Sequence, residues 1–443
     1  VSFTAELVRR VRAVTADELP DDVIELARSC VLDWFGVTLA GSREPAAAIV
    51  ADELGTGAGG PATVVGRSWQ LGTRDAALAN GTASHALDYD DVNQAMYGHP
   101  SVPILPALLA LAEVRRSSGS EVVTAFVAGY EAECALARAL GGDHYQRGFH
   151  ATATVGTVGA ALACARLLGL GADATEMAVG IAVTQAAGLK AMFGTMCKPL
   201  HAGLASSAGL LSALLAARGF TSARGAVETV QGFAETHSAS FDPDRGLARP
   251  TAGWHLRSHL FKYHAACYET HSAIEGVRRI AATSGLGPDQ VESVTIHADS
   301  AQLRMCAIEE PTTGLETKFS LRHTAALVLV GRDTSAIETF SDSQARDPVV
   351  VAMRDRVRVV ADRAPGGPTP VEIRTTDGRV LQETYDVAVP ETDRVRRAER
   401  LTAKFSSLAV PVVGAERADR IAAAVHALDQ LADLRLLMAA SAC

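Results

Sequence analysis

The sequence predicts a mainly α-helical protein: a large helical-bundle domain carrying a smaller α+β domain. Three observations lead to that class. Hydrophobic residues make up 48% of the 443 residues but aromatics only 5%, so Ala, Leu and Val fill the interior, which favours closely packed helices over an aromatic-rich sandwich. Apolar residues recur at helical spacing from Thr4 to about Lys262; the period becomes two near Val291 and returns to helical near Asp393. The chain is also long for a single core. The expected boundaries are residues 1–262 with 396–443 for the helical domain and 263–395 for the α+β domain.

Taken in order, Leu7, Val8 and Val11 mark a first helix, and Val23, Leu26, Ala27, Val31, Leu32 and Phe35 a second. A short strand near residues 62–65 interrupts the helices. Residues 75–87 (DAALANGTASHAL) form a small-residue helix, and the next apolar helix, with Leu105, Leu108, Leu109 and Leu111, is opened by Pro100 and Pro103. Gly156, Gly159, Ala160 and Ala163 on one helix, and Ala202, Ala205, Ala208 and Gly209 on another, let helix axes approach closely. The longest apolar run, residues 154–170, contains Gly156, Gly159 and Arg166, and is expected to be a core helix rather than a membrane span. Beyond Tyr263, alternation at residues 291–298, 357–360 and 371–389 predicts strands, with Thr376, Asp377 and Gly378 as a hairpin turn and residues 364–370 as a surface loop. From Asp393 a helix is expected, with Ile421, Ala424, Leu428 and Leu431 on one face and the basic run 394–400 on a solvated one.

A formal charge of −9 argues against nucleic-acid and membrane-surface partners, which need a basic face, and leaves a small molecule. Seven cysteines (Cys30, Cys134, Cys164, Cys197, Cys267, Cys306 and Cys443) show no C-x-x-C spacing, so neither a zinc knuckle nor an iron–sulfur run is expected. Their odd count and apolar contexts suit reduced thiols in the cytoplasm, and no signal peptide is expected ahead of the first helix.

The most telling segment, residues 85–101 (HALDYDDVNQAMYGHPS), crowds three carboxylates and two histidines into a glycine-poor connector between two packed helices. His99 there, and His150 after Gly148 and Phe149, are the acid/base candidates, because imidazole exchanges protons near neutral pH. Asp88 is placed to orient a histidine or bind a substrate hydroxyl, whereas Asp90 and Asp91 read as caps or loop braces. Thr152 and Thr154 can cap the helix behind His150. Tyr145 is a candidate phenolic acid. Lys198 and His201 open an Ala-rich helix, where an ammonium near the positive helix end suits an anion. Lys262, followed by His264 and Cys267, is a second cation for a second carboxylate. Asp88, Asp91 and His99 are hard donors, but no pair has the H-E-x-x-H type of spacing, so no metal is expected.

Residues 85–101, 148–160 (GFHATATVGTVGA), 196–203 (MCKPLHAG) and 261–271 (FKYHAACYETH), followed by 317–326 (TKFSLRHTAA), resemble in content and order the blocks of the MmgE/PrpD family. The resemblance covers most of the chain and is weakest at the termini and over residues 330–400. It puts Asp88 on the aspartate of the first block, His99 on G-H-P-S, His150 on G-F-H and Lys198 on K-P-x-H-x-G. It implies a C-terminal helix that rejoins the helical domain, an α+β lid domain at 263–395, a homodimer, and cofactor-independent chemistry on a small polycarboxylate. Three positions depart from the decarboxylase branch, which has His at Cys267, Pro at His264 and Thr at Val92. Because elimination is the commonest activity the resemblance implies, the expected activity is a dehydratase-type lyase that removes a proton α to a carboxylate of a di- or tricarboxylate, although the F-G-T-M-C-K-P and K-Y-H-A-A-C blocks look closer to the epimerase-like branch. Two alternatives stand beside it: an epimerase or isomerase of an iminodisuccinate-like diacid, and a catalytically inactive helical ligand-binding protein.

Overall fold

A computed structural model describes residues 2–57, 59–364 and 366–443. The chain is mainly α-helical and divides into two compact units, Val1–Phe261 with Asp393–Cys443, and Lys262–Thr392.

In the first unit, local sequence sets the helix ends. Gly119–Leu140 starts from a reciprocal cap, in which Glu121 N donates to Ser118 Oγ at 3.3 Å and Ser118 N donates to the Glu121 carboxylate at 2.8 Å. The buried core helix expected near residues 154–170 spans Ala151–Leu167 and is buried on nearly every face. Cys197–Ala217 is long and apolar enough by length and composition to cross a membrane, but 61% of its apolar stretch is buried inside the protein, where it packs against Thr73–His85 and Ala151–Leu167.

Those contacts depend on missing side chains. A Cβ on Gly203 would lie 2.3 Å from the Leu78 carbonyl oxygen, and one on Gly81 would lie 2.7 Å from Gly203 Cα. The two backbones therefore cross in near contact. His85 ends one helix a turn beyond Gly81, while Lys198 and His201 lie just before Gly203 on the other, so the crossing draws together residues more than 100 positions apart in the chain.

The C-terminal stretch differs from the single helix expected. Asp393 caps Arg394–Val413, Gly414 at φ 79° stops it, and Ala415–His426 and Arg435–Ala440 follow as separate helices. Ile421 and Leu428 are buried, but Ala424 and Leu431 are only partly covered. The basic run is not wholly solvated either: Arg397 is buried and pairs with Glu25 at 2.7 Å, because Arg394–Val413 packs along Asp21–Gly41. Lower on the same face, buried Lys404 pairs with Asp33 at 2.6 Å.

The second unit carries a four-stranded sheet in the order Val357–Arg363, Val291–Asp299, Thr369–Thr375, Val380–Tyr385. The first pair is parallel and the other two antiparallel. Helix His271–Ser284 covers the last two strands. The expected hairpin turn lies between Thr375 and Arg379, with Gly378 at φ 86°. Its second strand ends at Tyr385, short of Val389. The connector at 364–370 is shorter than expected because Thr369 and Pro370 already pair with Tyr385 and Thr384, and Pro365 lies outside the described residues.

Candidate active site

Residues 86–100 follow an irregular path fastened at nearly every step. Asp88 takes the left-handed conformation (φ 51°) and Tyr97 closes the segment in the same region (φ 56°). Such backbone is uncommon outside glycine and concentrates at functional sites. Between them, the Tyr89 carbonyl accepts from Lys404 Nζ at 2.7 Å, Val92 and Leu260 exchange both backbone hydrogen bonds, and Asn93 N donates to the Gly98 carbonyl at 3.0 Å. A Cβ on Gly98 would lie 2.8 Å from Thr152 Oγ1. That close approach lets His99 N donate to Thr152 Oγ1 at 3.1 Å, which seats His99 at the start of the Ala151–Leu167 helix.

His150 is the N-cap residue of that helix. The two threonines expected to cap it do other work: Thr152 holds His99, and Thr154 Oγ1 bonds His144 Nε2 at 2.8 Å. His150 N donates to the Gly188 carbonyl, and Lys190 N donates to the Gly148 carbonyl, so residues 188–190 run alongside. Further along this strap, the Phe193 ring stands edge-on to His150, with centroids 4.9 Å apart, and Lys198 Nζ lies 5.2 Å from the same ring.

Four imidazoles form a row. Ring centroids are 4.6 Å apart from His99 to His85, 5.7 Å from His85 to His150, and 5.3 Å from His150 to His201, whose Nδ1 is 3.1 Å from His150 Nδ1. Asp90 lies beneath them, 2.9 Å from His85 Nδ1 and 3.0 Å from His99 Nδ1. At the rim, Asp88 accepts a 2.9 Å ion pair from Lys198 Nζ and lies 3.7 Å from His99 Nε2. The side chains of Asp88, Lys198 and His99 are 34%, 15% and 13% exposed, against 0% for His85 and 2% for Asp90. The site thus has a dry floor and a wetter, charged mouth.

Electrostatics follow from that gradient. Burial drives His150 well below the ordinary imidazole range, reinforced by His85 and Lys198, and drives His85 down to about 4. Burial also lowers His201. Both floor rings are therefore neutral near pH 7 and able to accept a proton. Burial opposes ionisation of Asp90, but the paired imidazoles outweigh it and hold the carboxyl well below its usual range.

The sequence-derived candidates sort as follows. Asp88, His99, His150, Lys198 and His201 meet at this one place. Tyr145 stands to one side, stacked on Tyr97 at 6.4 Å, with Lys190 Nζ 3.5 Å over its ring. Lys262, His264 and Cys267 belong to the second unit. There both His264 ring nitrogens are engaged, Nδ1 with Thr334 Oγ1 at 2.7 Å and Nε2 with Glu275 at 3.1 Å. Lys262 and Cys267 are buried. Asp90 and His85 are the additions. Asp90 is no simple loop brace, since it pairs with His85, five residues earlier in HALDYD.

Two groups of donors have spacing compatible with a metal ion: His85, Asp88, Asp90 and His99, and Cys30, Asp91 and His259. In the first, the Lys198 ammonium already neutralises Asp88, and Asp90 is shared by two rings. In the second, Cys30 Sγ is 3.7 and 3.5 Å from the two nitrogens of His259, so it faces the ring between them rather than the lone pair of one. His259 Nδ1 is taken by Tyr130 Oη at 2.9 Å. Neither arrangement has the shape of a preformed coordination shell.

Comparison with known proteins bears on this geometry. The MmgE/PrpD N-terminal domain matches residues 5–246, and the MmgE/PrpD C-terminal domain matches residues 264–430. Similar proteins include cis-aconitate decarboxylase of Aspergillus terreus, 27% identical across 98% of this chain and 95% of that protein. Cis-aconitate decarboxylases of mouse and human are each 25% identical across 98% of this chain, and across 92% and 94% of their own lengths. The two domain matches together span most of the sequence, and the chain belongs to the MmgE/PrpD family.

Proposed function

We propose that this protein is a cofactor-independent lyase that transfers a proton at the carbon α to a carboxylate of a small di- or tricarboxylate, in the direction of a dehydratase. The observation that carries the reading is the row of imidazoles over a buried carboxylate, opening onto the Lys198–Asp88 pair. An α-hydrogen next to a carboxylate is only weakly acidic, so a catalyst must stabilise the charge that collects on the carboxylate oxygens as the proton leaves. Lys198 is the cation for that charge, released from Asp88 to the substrate. A neutral histidine, His150 or His99, takes the proton. Its partner protonates the departing β-hydroxyl, and water and an alkene result.

Decarboxylation is the second reading, favoured by the names of the relatives. Carbon dioxide leaves, the electron pair moves through the alkene, and a histidine delivers a proton to carbon instead of removing one. Val92, His264 and Cys267, which stand where the decarboxylase branch has other residues, speak against decarboxylation.

One substrate separates the two readings. With cis-aconitate in deuterium oxide, a dehydratase run in reverse adds water, places one deuterium on carbon and removes the alkene absorbance without releasing gas. A decarboxylase releases carbon dioxide and keeps an alkene. The first outcome is expected. Binding of cis-aconitate, citrate and methylcitrate with no conversion of any would mark the chain as a ligand-binding protein and end the lyase reading.

A further inference from the structure

We propose that Asp90, together with His85, is the positioning element of this site: one buried carboxylate that fixes the tautomer of His99 directly and the placement of His150 through an interposed ring. The proposal rests on the reading of His99 and His150 as the proton carriers.

Asp90 hydrogen-bonds His85 Nδ1 with both oxygens, at 3.0 and 2.9 Å, whereas its Oδ2 lies 3.0 Å from His99 Nδ1 as an ion-pair contact too poorly aligned to be a hydrogen bond. Such contacts are often poorly aligned before substrate engages and tighten afterwards. An ionised carboxylate can only accept, so each neutral ring must place its single hydrogen on Nδ1 and keep a lone pair on Nε2. For His99, that lone pair is on the atom facing the rim, 3.7 Å from Asp88. His99 is thereby set to receive a proton on its outer nitrogen, and the resulting imidazolium rests on a negative charge that water hardly reaches.

His85 extends the control to the other carrier. Its ring lies between those of His99 and His150, inclined 25° to His150, and its Nε2 is buried without a hydrogen-bond partner among the described residues. A buried nitrogen left unpaired is destabilising. A purely packing role at this position would be served as well by an apolar ring. The imidazole is explained by its Nδ1, which anchors the wall against which His150 stacks. Asp90 and His85 reach solvent far less than the rim does, so both act through His99 and His150 rather than on the substrate.

The test reads the tautomer first. In protein labelled with nitrogen-15 on its histidine rings, long-range proton–nitrogen spectra should show His99 protonated on Nδ1 in the wild type. In Asp90→Asn the new amide can donate, and His99 should move to the Nε2-protonated form. Turnover should fall roughly 10²- to 10⁴-fold, with KM changed less than about threefold, as for loss of a group that orients a catalytic imidazole. Asp90→Glu should restore the Nδ1 form and part of the turnover. His85→Phe should preserve the His99 tautomer. A wild-type His99 protonated on Nε2, an Asp90→Asn spectrum with His99 unmoved, or a folded Asp90→Asn enzyme with wild-type kcat would each overturn the proposal. The spectra need no substrate, so a wrong tautomer sinks this inference alone, whereas a correct tautomer in a protein that converts no polycarboxylate sinks the lyase reading alone.

Discussion

Lys198 reaches the mouth of the site from the first turn of its helix, and its ammonium is held by the most exposed carboxylate there, Asp88. A cation that trades this partner for a substrate carboxylate contributes to binding and, as charge grows on the carboxylate, contributes more to the transition state. Lys198→Ala should therefore raise KM and lower kcat together, with kcat/KM down on the order of 100-fold or more. A rise in KM with kcat untouched would restrict Lys198 to binding. At this scale the sequence was informative wherever a polar residue stood in a segment that otherwise had little reason to be polar: Asp88, His99, His150 and Lys198 were readable for that reason. Asp90 and His85 were not. His85 looks like the last residue of a small-residue helix, and only the left-handed turn at Asp88 folds the chain back so that Asp90 lies under its ring.

The elements that carry these residues are held close by glycine. A methyl group on Gly203 would press on the Leu78 carbonyl oxygen at 2.3 Å and on Thr82 Oγ1 at 2.4 Å, so the backbone of the facing helix must shift to admit it. Gly203→Ala should destabilise the protein by about 1–3 kcal/mol or more. It should also depress activity, because the same crossing sets the distance between His85 and Lys198. Thermal unfolding and turnover measured side by side check this, and a variant with unchanged stability would show that the helices can separate without penalty. The stripes of small residues announced close packing in the sequence. What they could not announce was the partner: residues 78–82 meet 203 because three-dimensional packing selects among several similar stripes. The broken C-terminal helix escaped for a different reason, since the halt at Gly414 interrupts a pattern that the apolar period alone would continue.

Over the whole molecule, helical composition fixed the class, while the substrate is set by the fine placement of a few side chains and was not legible. Proton linkage does have a readable global consequence. Nine histidines are pushed below their ordinary range, burial being the first cause for each, with His85, His144, His255 and His323 at about 4 and His259 at about 3. Between pH 6.5 and about 4 these groups bind more protons unfolded than folded, so their contribution to stability is lost as pH falls. Five carboxyls are pushed the opposite way, desolvation being the first cause for each, Glu131 to about 7, and gain from acidification. Among the residues with a described shift the histidines outnumber these carboxyls, and the predicted direction follows them. Urea midpoints at fixed ionic strength should decline from pH 7 to pH 4.5, and a flat or rising midpoint would show that the histidines titrate normally in the folded protein.

The central claim is that His99 and His150 move a proton to and from carbon, and hydrogen exchange tests it without regard to the final product. A polycarboxylate converted by the wild type is incubated in deuterium oxide, and deuterium entering the carbon next to the carboxylate is followed by proton magnetic resonance. The account predicts that either His150→Ala or His99→Ala slows exchange on the order of 100-fold or more, the loss expected for a general base or acid. Exchange at the wild-type rate in both variants would contradict it, whatever product the enzyme forms.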